Sequence, residues 1–185
     1  MDHLNAERAK YEKMWAQPAY RERSPGFRLV ATAFDWMGMR EGQTLCDYGA
    51  GTGRASQWLA DHGLRVTAFD IAENAITEFD GPKVIGTLWD MPAFGTFDYG
   101  FCCDVMEHIP PEHVSDCLKG IALRTARCAF FQIALFECHM GKGIGEHLHL
   151  TVKPTNWWVA ALQRHFGSVE IKPGETKYVI AKCTP

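Results

Sequence analysis

The chain has 185 residues, 46% of them apolar and 22% charged, which suits one domain with a substantial core and excludes a disordered tail, a collagen-like repeat or a coiled coil. Nineteen Lys and Arg face 22 Asp and Glu for a net charge of −3, so there is no basic excess of the kind a long nucleic acid requires. The first thirty residues are charged throughout, with no signal-peptide core, and the longest nearly apolar run, residues 128–136 with Gln132 inside it, falls far short of the ~20 residues that span a bilayer. Seven cysteines, an odd number with no C-x-x-C pair, fit buried thiols in a reducing cytoplasm better than a disulfide framework.

Element types alternate along the chain. Tyr11 and Trp15 share one helical face near the N-terminus, residues 20–26 read as a loop, and residues 27–37 as a helix leading into the first strand. That strand is Thr44–Tyr48, followed by a glycine loop at 49–53 and a helix at 54–62 that Gly63 caps. A second strand at 65–69 ends at Asp70. Ala72, Ala75, Ile76 and Phe79 fall at i, i+3, i+4 and i+7, which predicts a short amphipathic helix over 72–79. Residues 83–88 and 97–103 form strands three and four. Pro110 and Pro111 open a helix carrying Val114, Cys117, Leu118 and Ile121 on one face. The fifth strand, 128–136, is apolar enough to be buried on both sides. A Gly- and His-rich loop at 138–150 precedes a helix with Trp158, Ala161, Leu162 and Phe166, and two strands around Val169 and 178–183 finish the chain.

This alternation predicts an α/β fold, a doubly wound, mostly parallel seven-stranded sheet with the last strand antiparallel and helices on both faces. Residues 1–40 would form a helical cap and 41–185 the core. Ligands of such sheets bind beyond the carboxyl ends of the strands, where the strand order reverses.

One loop at that edge is the most informative stretch. Gly49, Ala50, Gly51 and Gly53 follow a buried strand, so a ligand can approach the main chain with no side chain in the way. No Lys-Ser/Thr follows, which removes a phosphate-binding P-loop. A dinucleotide loop wants its third glycine where Arg54 stands. Asp47 just before the loop would repel a pyrophosphate and suit a cationic amine. Asp70, seventeen residues after Gly53, can accept both hydroxyls of a ribose. Asp90 is placed to accept from an adenine amine, with Trp89 and Met91 against the purine faces; a turn-capping aspartate before Pro92 is the alternative.

In this order (Asp47-x-Gly-x-Gly-x-Gly53, an acid after the next strand, Trp89-Asp-Met-Pro92, then residues 97–110 with Asp104-Val-Met-Glu-His108) the sequence resembles the class I S-adenosylmethionine-dependent methyltransferases from about residue 44 to 185. The resemblance implies S-adenosylmethionine as cofactor. It sets Asp47 and Gly49 beside the methionine part, Asp70 on the ribose with Ile71 on adenine, Asp90 and Met91 around the adenine amine, and Asp104 beneath the sulfonium. It further implies that the N-terminal segment closes over the ligands. Tyr11, Trp15 and Tyr20 would then meet them, and Arg21 or Arg23 would meet a carboxylate or an anionic acceptor.

Methyl transfer needs alignment first, and a base only where the acceptor must lose a proton. No Asp/Asn/Ser-Pro-Pro-aromatic motif and no Pro-Cys follows the fourth strand. A small-molecule acceptor methylated on oxygen or nitrogen is therefore expected rather than a nucleic-acid polymer, and a module that binds the cofactor and acts through a protein partner is the alternative. His108, His139, His147 and His149 are candidate bases because imidazole titrates near neutrality, with Glu107, Glu137 and Glu146 near them in sequence. Residues 145–158 resemble a His-x-Asn/Thr-x-Lys/Arg-Pro…Trp-Trp segment of small bacterial and phage-type members. Cys138, His139, His147 and His149 match no metal-site spacing, so no metal is expected. Oligomeric state is not legible.

Overall fold

The structure, a computed structural model, describes residues 3–23 and 25–185. Helices α1 (His3–Trp15), α2 (Pro18–Arg21) and α3 (Pro25–Met37) precede β1 (Thr44–Tyr48). There follow α4 (Arg54–Asp61), β2 (Arg65–Asp70), β3 (Lys83–Ile85), β4 (Phe97–Cys103), α5 (Val114–Arg124), β5 (Thr125–Ala134), α6 (Thr155–Gln163), β6 (Ser168–Ile171) and β7 (Tyr178–Thr184).

The seven strands lie in the order β3-β2-β1-β4-β5-β7-β6. Strands β1 to β5 pair in parallel, and β7 runs antiparallel to both β5 and β6, as the sequence predicts. Leu45, Cys46, Asp47 and Tyr48 are all buried, because helices cover both faces of a parallel sheet. Val30, Ala33 and Met37 of α3 and Leu59 of α4 fill one core. Leu118 and Ile121 of α5 and Trp158 and Leu162 of α6 fill the other. Successive strands step outward from β1 to β3, then restart on the other side of β1 at β4, so a crevice opens beyond the tips of β1 and β4.

Four expectations need correction. Residues 72–79 form a turn at 73–75 and irregular chain, not a helix, although Ala72, Ala75, Ile76 and Phe79 are buried as the period implies. Their backbone is spent elsewhere: Thr77 and Glu78 donate to Thr52 O, Arg21 donates to the carbonyls of Asn74 and Ala75, and Lys83 to that of Ile76. Three carbonyls that an i→i+4 ladder would use, those of Asn74, Ala75 and Ile76, are thus engaged by side chains. Strand β3 stops at Ile85, because the chain then turns through an isolated bridge between Thr87 and Asp90. The helix at Pro110 starts later, after a 3-10 turn at Pro111–His113. The loop at 20–26 shrinks, because Tyr20 and Arg21 end α2 and Pro25 and Gly26 begin α3; Ser24 within it lies outside the described residues. All seven cysteines are free, and six are buried. Among the described residues no helix is long and apolar enough to cross a membrane.

Candidate active site

The glycine loop is held open by its backbone. Gly49, Gly51 and Gly53 have φ of 75°, 55° and 88°, the left-handed region that other residues enter at a cost. Space is the second constraint. A Cβ on Gly49 would stand 2.3 Å from Val105 Cγ2, and one on Gly51 would stand 2.9 Å from the Trp15 ring. The N–H groups of Gly49 and Ala50 donate to Phe69 O at 2.8 and 3.0 Å, which ties the loop to β2.

Two buried acids flank it. Asp47 accepts from Ser56 Oγ at 2.6 Å, and burial without a cation pushes its carboxyl up to about 7. Asp70 accepts from Gly51 N–H and Ala72 N–H, one on each oxygen and both at 2.9 Å. Burial lifts it to about 6 against the pull of those donors. A carboxylate offers about four lone-pair sites, so Asp70 keeps acceptor capacity for a further donor.

The crevice has two lobes, which share Trp15, Tyr20, Gly49, Asp104 and His108. The smaller, about 90 Å³, runs past Asp70, Ile71, Thr87, Leu88 and Trp89. The larger, about 500 Å³, runs from Asp47 and Ala50 to Phe136, His149 and Tyr178, within the range of small-molecule sites. Each lobe holds a buried hydroxyl without a hydrogen-bond partner, Thr87 Oγ1 in the smaller and Thr52 Oγ1 in the larger. Unpaired buried polar atoms are costly, and ligand hydrogen bonds would relieve them. The set of a side-chain-free loop, an acid with open lone pairs at the β2 tip, and an uncompensated carboxylate at Asp47 fits a cationic nucleoside such as S-adenosylmethionine.

At the tip of β4, Asp104 is the one residue other than glycine with positive φ (53°) among those described. Gln132 Nε2 donates to its Oδ2, and its own N–H donates to Gln132 O at 2.9 Å. Burial raises Asp104 to about 6. Glu107, three residues on, is fully buried and is pushed well up by burial and by the Asp104 charge. Tyr11 OH lies 2.9 Å from His108 Nδ1. Burial first, then His149, drives the His108 imidazole down to about 3.

His149 reaches this point through a strap. The N–H groups of Leu150 and Thr151 donate to Glu107 O at 2.8 and 2.9 Å, and Thr151 Oγ1 donates to Ile109 O at 2.7 Å. The connection after β5 is thus laid across the turn after β4. The His108 and His149 rings meet edge to face at 4.7 Å. Burial also lowers the His149 imidazole.

The structure therefore brings together Asp47, Gly49, Ala50, Gly51, Gly53, Asp70, Ile71, Asp104, His108, His149, Tyr11, Trp15, Tyr20 and Arg23 along or beside one crevice. It leaves others out. Asp90 is exposed and Met91 packs against Gly120 of α5; neither lines a lobe, whereas Thr87 and Leu88 do. His147 and His139 are exposed. Arg21 is engaged with Asn74, Ala75 and Thr77. Sequence reasoning did not single out Arg28 and Tyr178 of the larger lobe, and nothing in their local sequence marks them. Gln132 did carry a signal, as the one amide inside an apolar strand.

Residues 46–124 match the methyltransferase-domain family. No curated protein matches the sequence. Among solved structures, magnesium protoporphyrin IX methyltransferase from Synechocystis PCC 6803 with bound S-adenosylmethionine is 17% identical with a TM-score of 0.72, over 100% of this chain and 98% of that one. The Burkholderia thailandensis 1,6-didemethyltoxoflavin-N1-methyltransferase, bound to 1,6-didemethyltoxoflavin and S-adenosylhomocysteine, is 18% identical with a TM-score of 0.72, over 98% and 89%. A Haemonchus contortus phosphoethanolamine N-methyltransferase with S-adenosylmethionine is 18% identical with a TM-score of 0.65, over 80% and 39%.

Proposed function

We propose that this protein, a class I S-adenosylmethionine-dependent methyltransferase by its matched domain and its fold, methylates oxygen or nitrogen of a small-molecule acceptor held in the larger lobe. The observation that carries the reading is the juxtaposition in one crevice of a nucleoside-type cradle, Asp70 and the glycine loop, with a second lobe of about 500 Å³ that ends on two imidazoles.

When bound, S-adenosylmethionine supplies an electrophilic methyl group on a sulfonium. This chain's residues bind, orient and dry the site. Asp70 would accept from the ribose hydroxyls while the Gly51 N–H fixes its rotamer. Asp47 would face the amine, which restores an ionised carboxylate that burial alone disfavours. Asp104 would lie beneath the sulfonium. Ile71, Leu88 and Trp89 would sandwich the adenine, and Trp15 and Tyr20, edge to face at 4.7 Å, close over the loop. Such fixed groups act by alignment and by charge placed before the reaction begins.

For the acceptor, the larger lobe offers the exposed Arg23 and Arg28 with Phe27, Phe136 and Tyr178, which supports a flat apolar body bearing an anionic group. The free thiols support a cytoplasmic setting.

Titration calorimetry with S-adenosylhomocysteine tests the core of this reading. Asp70→Ala removes the acceptor of two backbone N–H groups and of the ribose, and should weaken binding at least about 100-fold, near 3 kcal/mol. Binding of equal strength in wild type and variant, or none in wild type, would overturn it.

A further inference from the structure

His108, His149 and the buried Glu107 converge beside the larger lobe. Leu148 O lies 3.0 Å from His108 Nδ1, and Phe136 O lies 2.6 Å from His149 Nδ1. A carbonyl only accepts, so each Nδ1 carries a proton and each Nε2 presents a lone pair. Glu107 Oε1 accepts from Ala134 N–H at 3.1 Å. Its Oε2 has no hydrogen-bond donor, although the residue is fully buried. One ligand atom from each of Glu107, His108 and His149 falls within 4.8 Å of the other two.

A fully buried carboxyl oxygen without a hydrogen-bond partner is costly, and a cation shared with the two half-buried imidazoles that converge on it would relieve that cost. We propose that Glu107, His108 and His149 bind one divalent first-row transition-metal ion, of the zinc or cobalt kind, at the inner end of the larger lobe. Two nitrogen donors with one carboxylate favour such an ion over magnesium or calcium, which prefer all-oxygen sets. The surroundings match what ligating histidines need, since each Nδ1–H is anchored on a backbone carbonyl that fixes tautomer and ring orientation. The strap at 148–151 that carries His149 is pinned by Glu107's own carbonyl, so one of the three ligands is positioned by another. The set differs from the cysteine and histidine group weighed in the sequence, because His139 and His147 point to solvent.

Three protein ligands leave coordination positions open. His108 and His149 line the larger lobe, so those positions would meet the acceptor. The inference thereby deepens the proposed function and rests on it for that last point: it assigns an acceptor with an oxygen donor, a hydroxyl or a pair of adjacent oxygens, that reaches the imidazoles through the ion rather than meeting them as free bases.

The test uses the whole chain, stripped with a chelator and titrated with Co²⁺ and with Zn²⁺. Visible absorption and calorimetry report the metal, and S-adenosylhomocysteine binding is measured on the same samples. Expected are one equivalent bound and Co²⁺ ligand-field bands. Affinity should fall at least about tenfold in His149→Ala and in Glu107→Gln and stay the same in a His139→Ala/His147→Ala double variant. His149→Ala alters a partly exposed side chain and keeps the test intact should Glu107→Gln not fold. Failure of wild type to bind either ion while it binds S-adenosylhomocysteine overturns the metal site alone. A bound ion lost in the His139/His147 variant and kept in His149→Ala also overturns it. Metal bound in the expected pattern without S-adenosylhomocysteine binding sustains the site and removes the methyltransferase reading.

Discussion

Asp47 offers the sharpest test of the electrostatic reading, because it is an acid buried to 3% exposure whose carboxylate accepts from the hydroxyl of Ser56. Burial pushes its carboxyl from the ordinary 3.8 up to about 7. At about 1.4 kcal/mol per pH unit, ionising it in the folded chain costs about 4 kcal/mol more than in the unfolded chain. The sign follows from linkage. The folded state holds its proton more tightly, so the contribution to stability is complete below about 4, falls as pH rises toward 7, and is flat above that. Roughly 3 kcal/mol of the loss should fall between pH 5 and pH 8. Asp47→Asn keeps the shape and an oxygen for Ser56 but does not titrate. Urea unfolding of wild type and variant, without cofactor, at pH 5, 6, 7 and 8 isolates the effect, since Asp70 and the other acids titrate in both proteins. The variant should gain on wild type steadily across that range. With S-adenosylmethionine present the wild-type slope should shrink, because a cation beside Asp47 favours its ionised form, while the variant should bind the cofactor more weakly. Parallel stability curves would show that Asp47 is neither dry nor strained by its charge, and the amine role would go with it.

Two further perturbations probe the loop and the cap. Gly49→Ala must accommodate both a φ of 75° and an overlap with Val105. It should lose about 1–3 kcal/mol in urea unfolding, and Val105→Ala added to it should restore only the part owed to the overlap. Arg21→Ala frees α2 from Asn74, Ala75 and Thr77. Amide exchange in α1 and α2 should quicken markedly, while global stability changes by under about 1 kcal/mol because the contacts are near the surface.

The strands were legible because their burial is two-sided. Residues 44–48 and 128–134 are largely apolar with no period-two alternation, a pattern that in a chain of alternating elements means a parallel sheet between helices. The helices at 54–61 and 114–124 were legible through their single apolar face. Residues 72–79 defeated the same rule. Their apolar spacing is helical and their burial real, yet a guanidinium fifty residues upstream and an ammonium at Lys83 take the carbonyls a helix would need. A periodicity reports which side chains face the core, and says nothing of where the backbone bonds go.

The two halves of the crevice differ in the same way. The cradle half is local: Gly49, Gly51, Gly53 and Asp70 lie on adjoining strand tips, and the Gly51 N–H to Asp70 bond joins elements that are neighbours in both sequence and sheet. Asp90 shows where that locality ends, since the turn that follows Ile85 presents Thr87 and Leu88 to the crevice and Asp90 to solvent. The acceptor half is non-local. Glu107 and His149 are separated by 42 residues and by a whole strand, and they meet because the peptide N–H groups of Leu150 and Thr151 bond one carbonyl. No side-chain pattern encodes that bond, because every residue but proline carries the same donor. His149 could be picked out as a candidate from the company it keeps in sequence, but its partner could not. Glu107 sits beside His108 in the chain, and a buried acid next to a candidate base reads as a cap or a spacer until a strap from the far side of β5 lays a second imidazole against it.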